Sequence, residues 1–119
     1  MTQIVHVLTW RLNGATVEVR RNQGRRVVAA VQALLGRVEG LVSLDVGVNL
    51  VEAGDAWDVG AVMVFRNRAD LQAYQTHPAH LALKAVVGPL RSERGQLDFE
   101  RTAAPGGEEL TIPTKGHPP

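Results

Sequence analysis

The sequence predicts an α+β fold, an antiparallel four-stranded sheet with helices on one face. Three observations lead there: four segments in which apolar residues alternate at period two, stretches in which they recur every three to four residues, and their order along the chain. That order is strand, helix, strand, strand, helix pair, strand.

The first strand is residues 4–12, IVHVLTWRL. Ile4, His6, Leu8, Trp10 and Leu12 share one face, and Val5, Val7, Thr9 and Arg11 the other, before Asn13-Gly14 breaks the pattern. Val27, Val31, Leu34 and Val38, reinforced by Val28 and Leu35, then form a helical stripe that Glu39-Gly40 ends. Thr16 suits an N-cap with Glu18 in the first turn, although Val17 and Val19 also fit a strand stub, and Gly24 weakens the middle of the helix.

Residues 41–51 return to alternation, with Val42, Leu44, Val46, Val48 and Leu50 expected on one side. A turn at Glu52-Ala53-Gly54-Asp55 leads to a third strand over 57–65, with Trp57, Val59, Ala61, Met63 and Phe65 together. Asn67 is read as the cap of a helix from about Arg68, with Asp70 completing a short capping box. Pro78 suits the first position of a second helix, with His77 as its cap, running through His80, Leu83, Val86 and Val87. A last short strand is expected at 96–100. Residues 1–101 are read as one domain and 102–119, with four of the six prolines, as a flexible Pro/Gly-rich C-terminal tail.

This is the β-α-β-β-α-β pattern of a ferredoxin-like fold. Its sheet presents a difficulty: Val5, Val7, Val62 and Val64 make the face away from the helices apolar as well. One helical layer cannot cover both faces, so a second copy of the sheet is the natural cover, and a homodimer through sheet-to-sheet packing is expected.

Composition narrows the function. The 119 residues carry a net charge of +1, which gives no bulk attraction to nucleic acid or an anionic membrane. Arg20-Arg21 and Arg25-Arg26 lack aromatic interleaving and read as a solvated face. With no cysteine, disulfides, thiolate nucleophiles and Cys-ligated metals are excluded. No apolar run approaches the roughly 20 residues of a membrane span, and the N-terminus does not resemble a signal peptide; a cytoplasmic protein is expected. No phosphate loop or GxSxG context is present.

The polar cluster is Ala73-Tyr74-Gln75-Thr76-His77-Pro78-Ala79-His80, which holds the only tyrosine and two of the four histidines. At the third helical position, the His80 ring lies near the positive end of the helix dipole, which favours the neutral imidazole that a general base requires. It equally suits a first-turn histidine bonded for structure. The Tyr74 phenol suits either a hydrogen-bond donor to an enolate or an amphipathic side chain with its ring in the core. His6 is either a pocket group or a satisfied core histidine. His77 reads as a cap; His77-x-x-His80 spacing, with His6 as a third ligand, also permits a metal, but no metal site is expected because no paired carboxylate lies near in sequence.

HVLTWRL, GLVSLDVGVNL, WDVGAVMVF and above all LQAYQTHPAHLAL resemble the stress-responsive α/β-barrel proteins, the Dabb family of dimeric ferredoxin-like domains, over about residues 3–101. The resemblance implies a dimeric α+β barrel with a pocket between each subunit's helices and its own sheet. A plant member similar in these motifs is a polyketide cyclase working without metal or cofactor. Its working residues match His6, Tyr74 and His80 here, so these are the expected catalytic residues. Leu8, Trp10, Leu71, His77 and Leu83 are expected to line the pocket, and no cofactor is expected. Two functions stay open: a cofactor-independent cyclase, isomerase or lyase acting by His/Tyr acid–base chemistry on a carbonyl compound, and a non-catalytic stress-responsive dimeric domain.

Overall fold

A computed structural model describes residues 2–102. The elements run β1 (Thr2–Leu12), α1 (Val17–Gln32), β2 (Leu41–Val48), β3 (Val59–Phe65), α2 (Arg68–Gln75), α3 (Pro78–Val87) and β4 (Arg91–Thr102). The sheet order is β2-β3-β1-β4, and each neighbouring pair is antiparallel. This is the expected ferredoxin-like arrangement, with the last helix split in two.

The caps form where the sequence places them. Thr16 accepts from the Val19 amide, and Asn67 from the Asp70 amide, so each satisfies a free N–H of a first turn. At the break between α2 and α3, His77 Nδ1 accepts from the Ala79 amide at 2.9 Å, with Pro78 in the first helical position.

The core lies between the helices and one sheet face. Ile4, Leu8, Trp10 and Leu12 of β1 and Val59, Ala61, Met63 and Phe65 of β3 pack against Val27 and Val31 of α1, Tyr74 of α2 and Leu83 and Val87 of α3. Gly24 does not merely weaken α1. A Cβ there would stand 3.1 Å from Val48 Cγ2 and 3.3 Å from Val59 Cγ2, so the glycine lets the helix approach the sheet closely.

Four expectations are corrected. The first helix ends at Gln32, not at Glu39, because successive i→i+3 bonds tighten the chain and Gly36 takes φ +83°. Leu34 and Val38 still reach the core from these turns, whereas Leu35 is exposed. A register shift between Leu41 and Ser43 turns Val42 outward, away from Leu44, Val46 and Val48, and Leu50 lies exposed beyond the strand. Trp57 precedes β3, and its ring lies over the Arg11 guanidinium and beside Gly95, on the outer face instead of with Val59. The last strand has 12 residues, beginning at Arg91 rather than 96. Thr102 is still part of it, and the tail expected from there lies, for residues 103–119, outside the described residues.

On the outer face, the register sets Val5 opposite Val64 and Phe99, and Val7 opposite Val62 and Leu97. Val62, Leu97 and Phe99 remain 39, 59 and 46% exposed, forming an apolar stripe across the middle of the sheet. No helix among the described residues is long and apolar enough to cross a membrane.

Candidate functional site

The inner face of β1 is apolar except for His6, which is buried. The β1–β4 register places Asp98 directly opposite it, and the two side chains pair through His6 Nδ1 and Asp98 Oδ1. Gln96 Nε2 donates to the other carboxylate oxygen at 2.7 Å. Burial acts to raise the Asp98 pKa, but the hydrogen bonds from Gln96 and His6, with the positive charge of His6 and Arg94, hold it below the usual carboxylate range.

Tyr74, in the last turn of α2, lies between the two histidines. Its ring centroid is 6.4 Å from His6, edge-on, and 4.4 Å from His80, tilted; Phe65 supports it at 5.3 Å. The residue is 1% exposed, and its hydroxyl is a buried polar atom without a hydrogen-bond partner. Burial pushes its pKa up to about 12, against a smaller opposing effect of Arg94. The phenol is therefore a protonated donor at neutral pH.

His80 occupies the third position of α3, and its Nδ1 lies 3.0 Å from the Gln75 carbonyl oxygen. A carbonyl only accepts, so this contact calls for the proton on Nδ1 and leaves the Nε2 lone pair free in the neutral ring. The His80 pKa is lowered. Burial is the main cause, Lys84, His6 and Arg94 act in the same direction, and the Gln75 carbonyl opposes them. The neutral form anticipated from the helix terminus is thus favoured chiefly by desolvation.

Next to His80 a cavity of about 390 Å³ opens between α3 and the edge of the sheet. Leu8, Trp10, Leu83 and Val87 give it an apolar wall, and Gln75, His80 and Gln96 a polar one. Lys84, Arg91 and Arg94 complete it with Gly88. Tyr74 and His6 stand behind His80 and are not among the lining residues. Leu71 packs against the core, and His77 serves the helix junction; neither lines the cavity. Among the described residues, no three His, Asp or Glu side chains gather as a metal-ligand set.

Residues 4–101 match the family described as Dabb, Stress responsive A/B Barrel Domain. The chain belongs to that family. Among solved structures, this Dabb chain is similar to a dimeric ferredoxin-like protein of unknown function from Thermobifida fusca. The two are 26% identical, with a TM-score of 0.71 and coverage of 82% of this chain and 90% of that one. It is also similar to a dimeric protein of unknown function and ferredoxin-like fold from Bacteroides fragilis, 24% identical, TM-score 0.73, covering 83 and 96% of the two chains. A hydroxynitrile lyase from Passiflora edulis shares the fold at 14% identity, TM-score 0.68, covering 86 and 95%. No curated protein matches the chain.

Sequence reasoning missed seven of the eleven residues that line this cavity, finding only Leu8, Trp10, His80 and Leu83. Lys84 was within reach, since it sits one turn after His80 on the same helix face. The β4 residues were legible only as a period-two pattern, in which Arg94, Gln96 and Asp98 alternate with Gly95, Leu97 and Phe99. Beginning that strand at 96 hid Arg91 and Arg94.

Proposed function

We propose that this Dabb protein is a cytoplasmic homodimer that binds a small carbonyl compound in the α3–β4 cavity and acts on it by cofactor-independent acid–base chemistry. One observation carries the reading: a neutral His80, its tautomer set by the Gln75 carbonyl, stands at the wall of a cavity that is apolar on one side. In this reading His80 Nε2 takes a proton from the carbon next to the carbonyl. The C–H electron pair moves into an enolate; the Tyr74 hydroxyl, which stands behind the cavity wall, donates to its oxygen only where the bound compound displaces the His80 side of that wall. His6, oriented by Asp98, relays protons behind Tyr74. Enolate formation is the step common to aldol-type cyclase, isomerase and retro-aldol lyase outcomes, a polyketide-like aldol closure among them.

The homodimer is supported by the outward apolar stripe of Val62, Leu97 and Phe99, and by the dimeric state of the Thermobifida and Bacteroides proteins. A second reading, a non-catalytic stress-responsive binding domain, is favoured by one observation, that Tyr74 and His6 lie behind the cavity wall.

Proton–deuteron exchange decides between them. A panel of 1,3-diketones in heavy water, followed by proton NMR, should lose α-protons faster with the protein than in buffer. His80→Gln should slow that exchange by about 10²–10⁴-fold, the usual worth of a positioned base, while circular dichroism stays unchanged. Exchange equal to buffer, or equal in the folded variant, would leave the non-catalytic reading.

A further inference from the structure

We propose that the ligand of the α3–β4 cavity is an acid, a small molecule with an apolar body and a carboxylate held by Arg94, Arg91 and Lys84. The inference rests on reading this cavity as a small-molecule site and names the class of compound it takes. Three cations line the cavity and no Asp or Glu does. Among the described residues, none of the three forms an ion pair. The contrast with a second cavity beside Arg11 and Arg20 is informative. There both arginines are matched by acids, Arg11 by Glu93 at 2.7 Å and Arg20 by Asp58 at 3.7 Å.

Asp98 feels the charge of Arg94 but is bonded to His6 and Gln96 and is not among the lining residues. The three like charges around the concavity therefore still repel one another and raise its positive potential, a cost that an incoming anion reverses. Arginine suits a carboxylate because its planar fork donates two parallel N–H bonds. Trp10 and Leu8, on the strand beside β4, supply the apolar wall on which the rest of the ligand would lie. Arg94, directly opposite Trp10 in the register, stands where the charged and apolar portions meet. Its positive charge is also felt by His80 and Tyr74, which places the anion-holding end next to the proposed base.

The test compares 3-phenylpropanoate with its neutral amide, titrated into the full-length protein at low salt and followed by amide shifts in 1H–15N spectra. The acid should bind about tenfold more tightly than the amide, as expected for a charge-assisted contact at a partly exposed site. The largest shifts should fall in α3 and the first half of β4. The preference should fade near 1 M salt, where the screening length is about 3 Å. Arg94→Gln, and separately Arg91→Gln, should weaken the acid without affecting the amide, whereas Arg37→Gln, an exposed arginine away from the cavity, should change neither. Both target side chains are exposed, so folding is not at stake. Equal binding of acid and amide, no binding of either, or an unaltered preference in both cavity variants overturns the inference. Diketone exchange without acid preference would overturn it and leave the proposed chemistry standing; acid preference without exchange would do the reverse.

Discussion

Replacing Tyr74 by phenylalanine should make the protein more stable and less active. The change removes one oxygen atom, and that atom is buried with no hydrogen-bond partner. Mutational data put the cost of burying an unpaired hydroxyl at about 1–3 kcal/mol. Loss of the oxygen forfeits a little packing against Phe65 and His80, so a net gain of about 1 kcal/mol is expected. For a folded unit of this size that corresponds to a melting temperature higher by about 4–8 °C. Wild type and variant must be compared at equal protomer concentration, because a dimer's melting point depends on it.

An alkaline arm gives the same hypothesis an independent readout. An unfolded tyrosine ionises near pH 10, whereas burial pushes Tyr74 up to about 12. Between those values the unfolded chain has released the proton and the folded one retains it. Stability attributable to this group is therefore complete below about pH 10 and is lost as pH rises through about 12. Tyr74 is the only tyrosine, so near-ultraviolet tyrosinate absorbance follows it without ambiguity. The phenylalanine variant should lack this share of the alkaline decline. A variant that melts lower than wild type would show that the hydroxyl has a partner in solution, and the reasoning would fail.

Histidine titration by NMR should give His80 a midpoint below that of free histidine. Since its folded pKa is depressed, the stability linked to it is present above about pH 6.5 and lost as pH falls through the folded value; a midpoint above the free value would remove the neutral base. Asp98→Ala should destabilise by about 1–3 kcal/mol in thermal melts, because the buried His6 ring loses its acceptor. With its carboxyl held low, wild-type Asp98 stabilises above about pH 4 and loses this as pH falls through the lowered value, a limb the variant should lack. Leu97→Lys places a charge in the outer apolar stripe and should convert a dimer to monomers in light scattering; a wild-type monomer would remove the sheet-to-sheet reading.

The fold was legible because most elements bury one face, and a buried face leaves a period in the sequence. β1 and β3 alternate and α1 carries a stripe, so their existence and order could be read directly. The misreadings occur where that link fails. Val42 belongs to the alternating pattern of β2, but the register shift at Leu41 reverses its direction, which no pattern of residue types records. The first half of β4 shows little apolar signal because no helix packs on it comparably to the other strands. In the site, His6, Tyr74 and His80 stood out as polar aromatics on apolar elements. Lys84, Arg91 and Arg94 did not, since a cation on a surface strand or helix looks the same whether it faces solvent or a cavity.

The cavity's position follows from the width of the sheet. α1 packs on β2 and its neighbours, α2 on β1 and β3, and β4 is left as an edge without comparable helix cover. An edge whose inner face is wet can carry Arg94, Gln96, Asp98 and Glu100 at no cost in core packing. One strand inward, the face is apolar with His6 as its single polar residue, so the side chain needing an acceptor lies opposite the strand able to supply one. Chemistry and stability are therefore separable along this border. In the proposed reading, substitutions on the inner face of β4 at Arg94 or Gln96 would retune the ligand with little effect on folding, whereas Leu8 and Trp10 on β1 belong to the wall and the core together. In that reading, changing one edge strand would change what this cavity binds while the sheet is kept.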